Sequence, residues 1–370
     1  MHPLTPPCTR HTHPFTSPCA PSQVLRGEMF FYAHVPADIA DIFPTLISSS
    51  EYTDPVPSRA PELAPKAAAS AASTPAGRRS VLPSSATKPD AARDSTPDPV
   101  AAAAAAASAA LSAAAPSAAS SAASSTATAP EDGISSMTLQ RIDGVTFSHL
   151  ATNRCLTPGR LTLMLQALLR MHRSEGDPSS RLPLDELDLP ANYLPKVEKR
   201  FHAHKATYLA LLPESEAMFE RIQQELASYQ SEKRWRYSHV IHGDPVFSNA
   251  LLTDEGRVFL LDMRGEVGKA LTLQGDMLYD LSKVYQSLLG YDFILLGIPL
   301  LERDAEILEE LRQTFRAFVA EQYVGVALSD IIKLTAAHYF GIVPLHQNQD
   351  HRRAYLQTAS ALLSSIPKDD

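Results

Sequence analysis

Only three cysteines, Cys8, Cys19 and Cys155, occur in 370 residues. They have neither the number nor the spacing of a disulfide framework or a zinc site, so a reducing compartment is expected. No apolar run approaches the roughly 18 to 20 residues needed to cross a bilayer. The first 28 residues are rich in Pro, Thr and His and lack the apolar stretch of a secretory signal. The cytoplasm is the expected location, although the same residues are acid-poor up to Glu28 and so also fit an organelle leader. Positive charge is not in excess either. A formal net charge of -8 leaves no clustered basic footprint for phosphate backbones, and neither a nucleic-acid nor a membrane partner is expected.

Aromatic residues are missing altogether from Thr53 to Thr146, and between Asp98 and Glu131 there is no charged residue, only Ala, Ser, Thr and Pro with one Val and one Leu. Ordering such a stretch costs about 1 to 2 kcal/mol per residue in backbone entropy, and its small side chains bury too little surface to offset that. Residues 51–133 therefore read as a disordered low-complexity insertion, with Ala101 to Ala115 transiently helical up to Pro116. Loop-closure entropy grows only logarithmically with length, so the two flanks can belong to one domain. The expected division is an unstructured segment 1–23, a short folded remnant 24–50, the insertion 51–133, and the main folded part 134–366.

What remains is mostly helical. A helix is expected from Glu28 to Val35, broken at Pro36, followed by an apolar strand. Met137, Leu139 and Arg141 alternate with smaller polar residues up to Asp143-Gly144, a strand and a turn. Thr157-Pro158 supplies a cap and a first-turn proline, and Leu161, Met164, Leu165, Leu168, Leu169 and His172 follow at helical spacing. His172 reads as a partner of that helix's C-terminal dipole. Further helices are expected at Glu214 to Tyr229, Met277 to Leu289, Asp304 to Tyr323 and Ser329 to Phe340.

Between these helices stands "IHGDPVFSNALL", residues 241–252. Residues 250–252 and 257–261 are short apolar strands joined by Thr253-Asp254-Glu255-Gly256, a turn ending in glycine. In an antiparallel hairpin Asn249 and Asp262 meet at one end, where two oxygens grip a hard cation such as magnesium. Asp244 reaches the same place from the loop. One free carboxylate beside a metal clamp is what phosphoryl transfer asks of a protein.

The string His242-Gly243-Asp244, then Asn249, a strand and Asp262, resembles the catalytic and metal-binding loops of the aminoglycoside phosphotransferase and choline kinase families, relatives of the protein kinases. The resemblance implies Asp244 as catalytic base, Asn249 and Asp262 as magnesium ligands, and His242 as a residue holding the loop against the metal-binding segment. "LQRIDG" resembles the hinge whose backbone meets adenine, which implies ATP binding at Gln140, Arg141 and Ile142. "GDMLYDLSKVYQSLLG" resembles the helix from which an aspartate, here Asp280, braces the catalytic loop. Asp276 and Asp280 read equally well as helix N-terminal charges. The "DxRG" and "YDLxK" strings are similar to those of the branch found beside polysaccharide and sugar-nucleotide enzymes.

The implied fold is α+β, a protein kinase-like two-lobed fold with a truncated amino lobe and a mostly helical carboxyl lobe. The implied activity is transfer of the terminal phosphate of ATP, with magnesium, to a hydroxyl of a small molecule. Arg264 would stabilise the transferring phosphate or grip an anionic substrate, against its plain reading as a structural ion pair. The amino end departs from the pattern. The helix glutamate would be Glu28, yet no lysine precedes Lys66, so Glu28 has no visible partner, and a pseudokinase or interaction module of the same fold is the alternative. A metal-dependent hydrolase is a third reading, without a second His/Asp cluster to support it. "NYLPKVEKRFHAHK" is mixed to basic, which favours a neutral or anionic, sugar-like acceptor over a cationic one.

Overall fold

The computed structural model describes residues 22–49 and 136–366. The expected disorder of residues 51–133 and nearly all of the opening segment lie outside these residues. The first helix, α1, spans Ser22–Ala33, starting earlier and stopping sooner than the expected Glu28 to Val35. Polar Ser22, Gln23 and Arg26 hid its first turns, and Pro36 disfavours helical geometry at Val35. Strand β1 (Leu46–Ser49) then pairs antiparallel with β2 (Met137–Leu139), Leu46 opposite Leu139 and Ser49 opposite Met137. Residues 50–135 thus leave and re-enter the described structure at adjacent strand ends.

Strand β3 (Val145–Thr146) leads into α2 (Phe147–Thr152), capped by Thr146. Helix α3 (Pro158–Arg173) begins as its sequence indicates: the Thr157 hydroxyl accepts the Arg160 N–H, Pro158 stands in the first turn, and Leu161, Met164, Leu165, Leu168 and Met171 are buried. Next come α4 (Leu194–Leu211), α5 (Ser215–Ser231) and β4 (Tyr237–Ser238). The expected hairpin is β5 (Ala250–Leu252) with β6 (Val258–Leu260), Ala250 opposite Leu260, turned at Gly256 with φ of 78°. Strand β3 adds to its other edge. Three two-residue strands follow: β7 (Glu266–Val267), β8 (Ala270–Leu271) and β9 (Gly275–Asp276), which pairs with β4. The rest is helical: α6 (Met277–Leu288), α7 (Tyr291–Leu296), α8 (Glu302–Gln322), α9 (Leu328–Gly341) and α10 (Gln349–Ser365).

Helices α4 and α10 were not expected. The charged run of α4 and its non-helical His204 mask its period, and α10 buries mainly Ala354, Thr358 and Ala359 besides its larger residues. A small-residue face gives little hydrophobic signal.

Helix α6 is the centre of the packing. Every residue from Leu278 to Leu288 is buried, and the helix lies against α8 and α9. A helix buried all round is expected to be apolar all round, yet this one carries Asp280, Ser282, Lys283 and Gln286. Asp280, Ser282 and Lys283 find partners inside, in the His242 and Gly243 amides, His338 and Asp244, which ties α6 to its surroundings in one orientation. Stacked rings join the other helices of this lobe, Phe201 on Phe219 at 4.1 Å and Tyr208 on Phe340 at 4.6 Å.

Asp276 caps α6 and anchors it. Its carboxylate accepts from the Leu278 N–H at 3.0 Å, the Arg236 N–H at 2.9 Å, and the hydroxyls of Tyr193 at 2.6 Å and Tyr229 at 2.5 Å. Replacing it by Ala would leave two buried phenols without an acceptor and a helix end uncapped. Asp276→Ala is expected to lower stability by about 3 to 5 kcal/mol, and Asp276→Asn by less, in urea unfolding. Equal stability of Asp276→Ala and the native chain would contradict this role.

Candidate functional site

The loop 241–249 is held from beneath by a single carboxylate. Asp280, fully buried on the first turn of α6, accepts the His242 N–H at 2.7 Å and the Gly243 N–H at 2.8 Å. A third donor, His172 Nε2, lies 2.9 Å away, while His172 Nδ1 accepts the Tyr323 hydroxyl at 2.8 Å. The reading of His172 as a helix-dipole partner is therefore corrected. It is a buried wedge linking α3, α6 and the end of α8, and helical spacing alone cannot distinguish an imidazole facing solvent from one facing a carboxylate.

His242 is buried. Its Nδ1 accepts the Asp244 N–H at 3.2 Å, which places its proton on Nε2, and burial lowers its pKa, keeping the ring neutral. Its carbonyl accepts the Arg264 N–H at 2.8 Å, so the loop carrying Asp244 and the segment carrying Asp262 are joined backbone to backbone. Gly243 has φ of 84°, and a Cβ there would meet Arg264 Cβ at 2.6 Å. Only glycine lets the two segments approach this closely.

Asp244 emerges from this frame with its side chain about 34 % exposed. Burial acts to raise its pKa, but Lys283 and Arg264 outweigh it and hold the carboxyl at about 2. Lys283 Nζ pairs with Asp244 Oδ1 at 2.9 Å. The Asn249 amide nitrogen donates to the Asp244 carbonyl at 2.9 Å, which leaves Asn249 Oδ1 as the side chain's acceptor. The Asn249 carbonyl accepts the Leu261 N–H at 2.9 Å, so the hairpin register sets Asn249 beside the residue preceding Asp262.

Asp262 follows with φ of 58°, a left-handed backbone that Asp tolerates better than most residues. Burial and the Asp244 charge raise its pKa. Glu28 lies against it. Burial and the Asp262 charge push Glu28 up to about 7, although the Asp262 backbone N–H bonds to it. Glu28, without a visible partner in the sequence, thus meets the Asp262 backbone. Gly27 makes this possible, since a Cβ on it would stand 2.2 Å from the Arg264 carbonyl oxygen, and one on Gly265 1.8 Å from the Gly27 oxygen.

Clustered negative charge with one amide oxygen is a donor set suited to a hard divalent cation, and Asn249 and Asp262 fit magnesium on these grounds. Among the described residues no group of three or more His, Cys, Asp or Glu is placed to hold a metal ion.

Arg264 lies over the Tyr279 ring, guanidinium to centroid 4.9 Å. Tyr279 and Lys283 belong to the "YDLxK" string, and Lys196 and Arg200 to "NYLPKVEKRFHAHK", but neither string gives these residues individual roles. Burial acts to raise the Tyr279 pKa, but Arg264, Lys196 and Lys283 bring it down to about 7. The signal for Lys283 is its place in the "YDLxK" string, a charge three residues after Asp280 in a helix buried all round. The hinge residues stand apart from this cluster. Gln140 gives its N–H to the Thr45 carbonyl at 2.8 Å, its side-chain oxygen accepts from Thr45, and Arg141 pairs with Asp143 at 2.8 Å on the surface, with Ile142 half-buried between them.

A sequence model described as "Phosphotransferase enzyme family" matches residues 87–305, more than half of the chain. The match runs through the loop 241–249, the hairpin and α6. No curated protein and no solved structure matches the chain. Among the described residues no helix is long and apolar enough to cross a membrane.

The low pKa of Asp244 yields a prediction with a definite sign. Its folded-state pKa lies below the ordinary carboxyl value, so its ionisation contributes stability above about pH 4 that is lost as pH falls toward about 2. Lys283→Met removes the largest opposing charge and should move the Asp244 midpoint upward in a carboxyl-carbon NMR titration. An unmoved midpoint would show that the ion pair does not set the charge of this group.

Proposed function

The chain belongs to the phosphotransferase enzyme family, and from that premise we propose that it transfers the terminal phosphoryl group of ATP to a hydroxyl of a small, sugar-like molecule. The observation that carries this reading is the Asp280 brace. One buried carboxylate fixes the loop so that Asp244, ionised at any pH near neutrality, faces outward next to Asn249 and Asp262.

Asp244 accepts the acceptor's hydroxyl proton as the oxygen attacks phosphorus, and until then Lys283 holds its carboxylate in position. Asn249 and Asp262 hold magnesium, which neutralises phosphate oxygens when bound. Arg264, fixed by its backbone bond to His242 and by the Tyr279 ring, supplies positive charge on the side of Asp244. The segment Gln140 to Ile142 lines the path between β2 and β3 and is our candidate for contact with the adenine, with Glu28 supporting the Asp262 backbone rather than touching nucleotide. Membership of the polysaccharide-associated branch is the narrower form of the proposal.

A second reading, a nucleotide-binding module without turnover, is favoured by one observation. Glu28 rests on the Asp262 amide, and residues 22–49 and 136–173 contain no lysine that would pair with it. Two measurements separate the readings. Calorimetric titration of magnesium-ATP should show binding that Asp262→Ala abolishes. Asp244→Asn should then leave nucleotide binding in place and lower turnover about 100- to 10,000-fold. Binding with no turnover in the native chain would decide for the second reading.

A further inference from the structure

Beside Asp244 the structure gathers more positive charge than a neutral acceptor requires. Lys196 and Arg200, one turn apart on α4, and Lys283 on α6 line one small pocket with Asn192, Tyr279 and His338, its enclosed space about 20 Å³ and its mouth open to solvent. Lys283 is both a wall of this pocket and the 2.9 Å partner of Asp244, so pocket and base share a side chain. Lys196 Nζ stands 3.3 Å from the Tyr279 hydroxyl, and Arg264 covers the Tyr279 ring. Arg200 is tied down by the Gly341 carbonyl at 2.9 Å.

These four cations act on one another. Burial and its cationic neighbours bring Lys196 down to about 8, despite the favourable influence of Tyr279. The anions that act on the cluster are Asp244, Glu266 and the partly ionised Tyr279, so roughly one to two positive charges are left over. Desolvated like charges repel at several times their strength in water. A dianion offsets that surplus in full, whereas a monoanion leaves part of it.

We infer that the mouth of this pocket takes the phosphate group of an already phosphorylated sugar or polyol, whose remainder stays outside the enclosed space, an inference that rests on the phosphotransferase reading. Lys196, Arg200 and Lys283 grip the phosphate already present, and a free hydroxyl of the same molecule meets Asp244. The new oxygen–phosphorus bond forms at that hydroxyl as the bond from the terminal phosphorus to ADP breaks. The hydroxyl proton goes to Asp244, and the phosphate in the pocket is unchanged. The product is a bisphosphate.

The test is calorimetric titration of inorganic phosphate into the full chain. The native protein should bind it, Lys196→Met should weaken binding about tenfold, Lys196→Arg should restore it, and Asp262→Ala should leave it unchanged because the metal clamp is elsewhere. In turnover, phosphorylated sugars should exceed their parent sugars in kcat/KM, and Lys196→Met should remove that preference. Failure of phosphate to bind while magnesium-ATP binds would overturn the inference and leave the phosphotransferase reading standing. Phosphate binding that Lys196→Met does not weaken would overturn it too. Phosphate binding lost in Lys196→Met, together with no magnesium-ATP binding to the native chain, would support the anion pocket and sink the phosphotransferase reading.

Discussion

A carboxylate with no exposure to water, held by three hydrogen-bond donors, is the joint on which this molecule turns. Asp280 receives two backbone N–H groups of the loop 241–249 and the imidazole of His172. Burying a charge without partners costs many kcal/mol, and burying one that has all its partners in place costs far less. The loop, α3 and α6 thus have one mutual arrangement in which that cost is avoided. Because Asp280 sits one turn after the Asp276 cap, the hydrogen bonds that start α6 also fix where its second carboxylate lands.

From this joint the charges alternate outward. Asp280 is sealed from water, His242 is held neutral, Asp244 is ionised and accessible beside Lys283 and Arg264, and Tyr279 is poised between forms. The consequence is a strong gradient across a few ångströms. Toward the hairpin the site presents oxygens, and toward α4 it presents cations. A molecule that bridges the two meets carboxylates at one end and cations at the other.

How much of this was legible depended on distance along the chain. The hairpin, its Gly256 turn, the Thr157 cap and the cluster Asp244, Asn249 and Asp262 fall within some twenty residues or follow local rules, and the α+β class with a helical carboxyl lobe follows from them. Asp280 was found as a brace because its motif is contiguous. The roles of His172 and Lys196 are set by helices more than 80 residues from their partners, Asp280 and Tyr279, and no periodicity encodes which face of a helix meets which loop. Glu28 has no visible partner in the sequence because its partner is the Asp262 backbone amide, a group that every residue except proline carries.

The pairing of β1 with β2 has a consequence for how this chain can change. Ser49 and Met137 stand opposite each other, so whatever joins them begins and ends at nearly one point. Its length is therefore uncoupled from the geometry of the loop 241–249. Such a junction is where a lineage can gain or shed sequence freely, and where a sensor or reporter domain can be spliced in with its own ends close together.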